Sequence, residues 1–406
     1  MSPGLLVAIL SVLFVTGLVV SLLATRWMIG FAPKIGLVDK PGHRKIHDDA
    51  RPLGGGTGIF LGVAVPMVIG ALAVALIWVR HDVYQEWLQS PPYVEPALMP
   101  GPFGLGLNPD LVRGIVDQLP LLATFLAVGF GMFLLGLVDD RRALGPFVKL
   151  GVQLGLTVAL VLPFPEVRLL TVLGLVPSVI ITTLWIAAVT NALNFLDNMD
   201  GLAGGVAAIS GLVLLLTSML AGQVFVPATL ALFVGACVGF LWWNFPPRVV
   251  GGGPARIFMG DSGSLFVGLV LGVMTVRTTY VAPGADFASL GGGWYGIFAP
   301  LVVLAVPLYD MTVVSLIRLS RGKSPFVGDT NHFSHRLVRL GMTKRTAVLC
   351  IWLVSAATGV AALLLPLVTS PLAAWLIFLQ TLLILGVILL LERGGREPSP
   401  GRVGGS

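Results

Sequence analysis

The stretch NALNFLDNMDGLAGG, residues 191–205, sets Asn191, Asn194, Asp197 and Asp200 three residues apart, directly behind the apolar run SVIITTLWIAAVT. On a helix, side chains three apart share a face while the row drifts slowly around the axis, so the spacing predicts four oxygen-bearing groups aimed into one cleft. Gly201, Gly204 and Gly205 follow and permit close backbone approach, to another helix or to a ligand. Asp139 and Asp140 come immediately after the apolar LLGLV. Adjacent carboxylates at a helix end repel one another, which suits proton acceptance or metal binding as well as a plain stop signal. In FMGDSGS, Asp261 stands between Gly260 and Ser262 at a helix start, where an N-cap is one reading. Hard oxygens from Asn and Asp on separate helices, completed by water and phosphate, are the other, and they are the usual surroundings of Mg²⁺. In GDTNHFSHRLVRLG, residues 328–341, a short amphipathic helix is predicted after Asp329 and Thr330. It has Phe333, Leu337 and Leu340 on one face and His332, His335, Arg336 and Arg339 on the other. Such a helix can lie on lipid headgroups, but histidines, mostly neutral at pH 7, serve that purpose poorly. Two of them beside two arginines suit anion binding or substrate positioning.

The elements that must position these groups are membrane helices. The chain of 406 residues is 56% hydrophobic and 11% charged, with a mean hydropathy of +0.95, which no ordinary soluble domain of this length shows. Apolar stretches near 5–25, 56–79, 119–138, 148–163, 177–196, 203–221, 225–243, 263–281, 295–319, 346–366 and 371–391 approach the ~20 residues needed to cross a bilayer. They are too long and too uniform for barrel strands, so the predicted fold is all-α: a polytopic bundle of about eleven transmembrane helices over residues 1–392, with a disordered tail at 393–406. The first run lacks a charged n-region and a cleavage site and reads as a retained helix. With the N-terminus outside and the C-terminus cytoplasmic, every Lys and Arg except Arg80, Arg113, Arg168 and Arg277 falls on the inner side. The segment 80–118, with PPY and PGPFGLG, reads as an outer loop. Cys237 and Cys350 fall within predicted spans and read as small apolar side chains. The formal charge of +6 is a positive-inside signature with no aromatic-interleaved stripe, which argues against nucleic acid.

The polar residues fall into five clusters, at 39–56, 137–153, 191–205, 256–268 and 328–341, and this topology puts every one on the inner face. A secondary transporter would carry its ionisable groups near the midplane of broken helices, whereas runs such as 5–25, 56–79 and 371–391 carry none until their ends. A scaffold protein has no need of five converging polar clusters.

VDD at 138–140, NALNFLDNMDGLAGG, FMGDSGS and DTNHFSHRL together resemble, in order and in topological position, the polyprenyl-phosphate N-acetylhexosamine-1-phosphate transferase family, over about residues 1–390. The resemblance implies an enzyme of the bacterial cytoplasmic membrane, its site on the cytoplasmic face, that transfers a sugar phosphate from a UDP-N-acetylhexosamine to undecaprenyl phosphate and releases UMP. It also implies that Asp139 and Asp140 lie near the lipid phosphate and that Asn194 and Asp261 hold Mg²⁺, with Mn²⁺ able to substitute. Asp197 and Asp200 would lie in the nucleotide-side pocket, Lys149 of KLGVQ would face phosphate, and Phe258 would line the nucleotide site. Lys45 and His47 would belong to a basic first inner loop that binds substrate. His332 and His335 would act in catalysis with Arg336 binding substrate, and a homodimer would be compatible. The last loop resembles the sugar-recognition segment of the GlcNAc-phosphate branch and lacks the three consecutive histidines typical of the muramoyl-pentapeptide branch. Two positions depart from the family pattern: Asn198 stands where Gly is usual, and Ser334 where a second adjacent His is common. Asn tolerates the left-handed region, so the turn is expected to survive.

Overall fold

The computed structural model describes residues 2–39, 50–79, 99–100, 106–107, 109–247, 252–280, 294–326, 329–368 and 370–394. Lys45 and His47 lie outside the described residues, as do most of the 80–118 segment and the tail from 395. The chain forms thirteen described α-helices: α1 Pro3–Phe31, α2 Gly56–Val79, α3 Pro109–Arg141, α4 Pro146–Val161, α5 Leu175–Leu196, α6 Leu202–Leu220, α7 Phe225–Asn244, α8 Gly260–Thr279, α9 Trp294–Val303, α10 Ala305–Ser320, α11 Phe333–Arg339, α12 Lys344–Ala362 and α13 Pro371–Gly394. A two-residue ladder, β1 Val38–Asp39 with β2 Arg51–Pro52, closes the connection between α1 and α2.

All eleven apolar stretches are helical, but they are not equal. Among the described residues nine helices are long and apolar enough to cross a bilayer. The stretch at 295–319 is broken into α9 and α10, which meet at 71°. Pro307 lacks the N–H that would bond the Val303 carbonyl, and its ring crowds that carbonyl, so the helix cannot run straight through. The stretch at 148–163 is α4, whose 16 residues reach only about 24 Å, short of a ~30 Å hydrocarbon core. Against the about eleven spans expected, the described residues hold nine such helices, or ten if the bent pair counts as one span.

Helix α8 is the centre of the bundle, with almost its whole length buried and α2, α3, α5 and α6 packed around it. Helices α1 and α7 pack along each other, and α12 lies against α6. Helix α13 is peripheral, with Leu372, Leu383, Leu390 and Leu391 all facing outward. Exposed leucines of this kind on α1, α2 and α13 form the apolar belt that bilayer lipid covers. The N-terminus of α8 sits against α3 at Gly136, where an added Cβ would overlap the Asp261 backbone. That close approach brings the end of α3 and the start of α8 within hydrogen-bonding reach.

Candidate active site

The polar clusters, so far as they are described, meet at one end of the bundle. Residues 52–56 are stitched to 258–259: Phe258 N–H donates to the Pro52 carbonyl at 2.9 Å, and Gly55 and Gly56 donate to the Phe258 and Met259 carbonyls at 2.9 and 3.0 Å. At the centre, the Asp261 carboxylate accepts from Asn194 Nδ2 at 2.9 Å on one oxygen and pairs with the Lys149 ammonium on the other. Lys149 also donates to Asp139 Oδ2 at 2.8 Å, and Asp139 Oδ1 accepts from the Leu144 amide at 2.6 Å. Asp139 is thus neutralised by Lys149, while the neighbouring Arg141 and Arg142 are exposed. Asp140 takes a different role from its neighbour. Its two oxygens accept from the Asp261 and Ser262 amides at 2.7 and 3.1 Å, so a carboxylate from α3 caps the N-terminus of α8. The N-cap reading of Asp261 is corrected by this geometry: Met259 is the cap position, and Asp261 in the first turn points its side chain to Asn194 and Lys149.

The row of four does not stay on one helix. Helix α5 ends at Leu196, so only Asn191 and Asn194 share its face. Asn191 turns to Gln153 at 2.7 Å, while Asn194 reaches Asp261 and Ser264. Residues 197–201 form a turn closed by Gly201 at φ 79°, whose amide donates to Asn244 Oδ1 at 2.6 Å. Leu170 is the only non-glycine with positive φ among the described residues, so Asn198 is not left-handed and the turn does not draw on that tolerance. Asn198 Oδ1 accepts from Ser334 Oγ at 2.5 Å. The two positions that depart from the family pattern therefore touch each other. Gly204 and Gly205 face Phe240 and Trp352, which settles their use as helix packing.

Asp200 accepts from the Ala255 amide at 3.1 Å and lies 3.6 Å from Arg51, whose guanidinium stacks 5.5 Å above the Phe258 ring. Asp197 stays beside Asp261 and Asp140. Burial first, then the charges of Asp261, Asp140 and Asp200, push its carboxyl well above the usual carboxylate range. A raised pKa in the folded state makes ionisation of Asp197 a destabilising event, absent below the unfolded value and complete above the folded one. Asp197→Asn should therefore raise Tm in metal-free buffer, by a margin that grows as pH rises from acid to neutral, while lowering activity. Thermal melts across pH check this, and a variant that is less stable at neutral pH would contradict it.

Helix α11 is placed differently from its predicted amphipathic face. His332 and Arg336, expected on an exposed polar surface, are buried. His332 Nδ1 lies 2.8 Å from Asp310 Oδ2 and its Nε2 lies 3.4 Å from Arg318. Because a guanidinium can only donate, Nε2 accepts and Nδ1–H donates to Asp310. Arg336 Nε donates to Glu392 Oε2 at 2.9 Å and Nη1 donates to the Asn331 carbonyl. The reason is that α11 packs along α12 and turns Arg336 toward α10 and α13, where Tyr309 stacks on it and Glu392 supplies the counter-charge. His335 is half-exposed, and burial, then His332 and Arg339, hold its imidazole below the usual value of 6.5. Although burial opposes it, Arg318 at 3.1 Å and the Asn331 groups hold the Asp329 carboxyl down at about 2. Asp310, Arg318, Glu392 and Arg51 were not singled out from sequence. The signal available for Asp310 was a lone acid inside an apolar run, which requires a partner.

No group of three or more His, Cys, Asp or Glu side chains among the described residues is arranged to hold a metal by itself. Mg²⁺ is commonly held by one or two carboxylates together with water and phosphate, and the hard oxygens of Asp261 and Asn194 fit that use. Lys149 lodged between Asp261 and Asp139 shows that this cradle already gathers positive charge.

The structure is an all-α bundle with several helices long and apolar enough to cross a membrane, whose carboxylates, amides and one lysine converge at a single end. The sequence profile of glycosyl transferase family 4 matches residues 122–279. A Bacillus subtilis protein named as a probable undecaprenyl-phosphate N-acetylglucosaminyl 1-phosphate transferase is 30% identical over 378 residues, 91% of this chain and 88% of the relative. The decaprenyl-phosphate N-acetylglucosaminephosphotransferase of Mycolicibacterium smegmatis is 29% identical over 85% of this chain and 79% of its own length. The undecaprenyl-phosphate alpha-N-acetylglucosaminyl 1-phosphate transferase of Escherichia coli K12 is 26% identical over 80% of this chain and 75% of its own length. The chain belongs to glycosyl transferase family 4, among the polyprenyl-phosphate N-acetylhexosamine-1-phosphate transferases.

Proposed function

We propose that this protein transfers N-acetylglucosamine 1-phosphate from UDP-GlcNAc to a polyprenyl phosphate, undecaprenyl phosphate being the expected carrier, and releases UMP. The observation that carries the reading is the Asp261 carboxylate shared between Asn194 and Lys149, beside Asp139 and Asp140, at the end of the bundle where the described parts of the polar clusters meet. The names and coverage of the relatives support the donor and acceptor classes. The distribution of Lys and Arg supports an N-terminus outside and a site on the cytoplasmic face of the inner membrane, where UDP-sugars reach it and the polyprenyl tail stays in the bilayer.

The reaction is an in-line displacement. An oxygen of the lipid phosphate bonds to the β-phosphorus of the donor while the bond from that phosphorus to the bridging oxygen breaks, and UMP leaves with that oxygen. Mg²⁺ or Mn²⁺, when held by Asp261 and Asn194, supplies neutralisation of the diphosphate charge. Lys149 offers a positive charge between Asp139 and Asp261 for the incoming phosphate. Asp139 orients Lys149 with one oxygen and the Leu144 amide with the other, and Asp140 holds the start of α8. Neither carboxylate is a free nucleophile in this arrangement, which supports direct attack by the lipid phosphate over a covalent phospho-enzyme. Asp200, Arg51 and Phe258 form the nucleotide-side wall. His335, kept neutral at physiological pH by its lowered pKa, is an acceptor for a sugar hydroxyl.

His335→Ala is expected to reduce kcat/KM for the donor by about tenfold to a hundredfold, with the KM for polyprenyl phosphate unchanged. Protonation of His335 removes the same acceptor, so the donor kcat/KM should show an acid limb below the ordinary imidazole value that the variant lacks. A competition assay tests the function as a whole: purified protein and undecaprenyl phosphate are supplied with radiolabelled UDP-GlcNAc and with the muramoyl-pentapeptide nucleotide. Labelled GlcNAc in the lipid fraction is expected, and preferential muramoyl-pentapeptide transfer would overturn the assignment.

A further inference from the structure

Helix α11 has seven residues, too few to hold an orientation by its own hydrogen bonds, so its position is set by what it docks against. It packs along α12, and three polar anchors fix its orientation. Asp310 of α10 accepts from the Phe333 amide at 2.5 Å and pairs with His332. Asn198, in the turn that carries Asp197, accepts from Ser334. The third anchor is Glu392, near the end of the peripheral helix α13. Its Oε2 accepts from Arg336 Nε at 2.9 Å and from the Tyr309 hydroxyl at 3.0 Å, with Arg336 and Glu392 each about 3% exposed.

The two sides of α11 do different things. Its front meets the 194–198 segment through Ser334 and, at its cap, through the His332 ring edge-on to Phe195 at 6.2 Å, and Arg318 of α10 stacks 5.4 Å from the same Phe195. On the other side Arg336 meets Glu392 and the ring of Tyr309, 5.9 Å from its guanidinium, while the helix itself packs along α12. Along its apolar length α13 is held chiefly by Trp375 and Phe378 stacking on Phe298, at the end far from Glu392. A buried ion pair contributes little net stability over a well-packed apolar pair, and its attested use is to fix one arrangement against others. Arg336 suits that use because its planar fork sets direction as well as charge, with Nη1 already on the Asn331 carbonyl.

We propose that Glu392 is a positioning residue for the transfer reaction: through Arg336 it holds α11 against the 194–198 segment, and with α11 the His335 to which the proposed function gives the donor sugar. Glu392 touches no reacting atom. Its effect is confined to the donor side, and the acceptor side around Lys149 and Asp139 does not depend on it. The inference rests on the proposed role of α11 in holding the sugar nucleotide.

The test uses the full-length protein with two variants, Glu392→Gln alone and the paired apolar replacement Glu392→Leu with Arg336→Met. Glu392→Gln keeps the shape and leaves the guanidinium without its counter-charge, and the paired variant removes both charges and protects the fold. In both, the KM for UDP-GlcNAc should rise by about tenfold while the KM for polyprenyl phosphate stays within about twofold. Amide hydrogen exchange of residues 333–339 should quicken in both, with that of α8 unchanged. A paired variant with normal melting temperature and normal donor KM would overturn the proposal, since the ion pair would then be structural only. Equal increases in donor and acceptor KM would also overturn it. The exchange measurement separates this inference from the reading beneath it: if wild-type protein fails to use UDP-GlcNAc the function is wrong, whereas unchanged exchange at 333–339 refutes the positioning role whatever the donor.

Discussion

Asp261→Ala is expected to lower the rate of UMP release by about three orders of magnitude, roughly 4 kcal/mol of transition-state stabilisation. The size follows from how many groups that carboxylate organises. It accepts from Asn194, pairs with Lys149, and stands at the first turn of the central helix α8. Without it Lys149 has only Asp139 as a partner and folds back onto it, which withdraws the positive charge from the incoming phosphate. Asn194 loses the contact that aims its side chain. Asp261→Asn, which keeps the volume and drops the charge, should be nearly as damaging, and melts of both variants should show a folded bundle. If Mg²⁺ serves as proposed, EDTA removes activity from the wild-type protein and added Mg²⁺ restores it. Undiminished turnover in EDTA would contradict the ligand roles of Asn194 and Asp261.

The second large effect is expected at the adjacent aspartates, and for two distinct reasons. Asp140 uses both oxygens on the Asp261 and Ser262 amides, and an asparagine has one acceptor oxygen, so Asp140→Asn leaves one of these α8 amides without its partner. Loss of a helix cap costs about 1 kcal/mol, too little to unfold the bundle and enough to let Asp261 move. Asp139→Asn instead frees Lys149 from its second anchor. Each should lower kcat by about a hundredfold or more. The variants should part company in what else changes: Asp140→Asn also weakens the apparent Mg²⁺ affinity through Asp261, while Asp139→Asn also raises the KM for the lipid phosphate. Initial rates over Mg²⁺ and acceptor concentrations check both. Near-normal rates in the two variants would reduce the pair to a helix-end signal.

The helices were legible because apolar length alone specifies a membrane span, and the eleven stretches read from sequence are helical. Their interruption was not legible by length. The bend at Leu304 comes from Pro307 acting on a carbonyl one turn back, and α4 falls short because it runs only from Pro146 to Val161. The polar clusters were legible as clusters, since charge within an apolar chain is conspicuous. The division of labour inside them was not. Asp139 and Asp140 are adjacent in sequence, yet one meets a lysine and the other a helix start on α8, a distinction made only by the approach of α8 to Gly136. The spacing of Asn191, Asn194, Asp197 and Asp200 suggested one helical face, but the helix ends at Leu196, and in the turn that follows Asp197 stays beside Asp261 while Asp200 goes to Ala255 and Arg51. Arg336 reads as a surface charge on a seven-residue helix, because its partner Glu392 lies 56 residues further on and no local pattern connects them.

In the proposed reaction a sugar phosphate, and not a bare sugar, moves onto a lipid phosphate at the Asp261 site. The most direct measurement uses UDP-GlcNAc labelled at the β-phosphorus, incubated with purified protein and undecaprenyl phosphate, followed by separation of the lipid and nucleotide products. The account predicts that the label appears in the lipid fraction, that unlabelled UMP is released in equal amount, and that Asp261→Ala abolishes both. Label remaining in a released nucleoside diphosphate would mean that the sugar alone had been transferred, and would contradict the account.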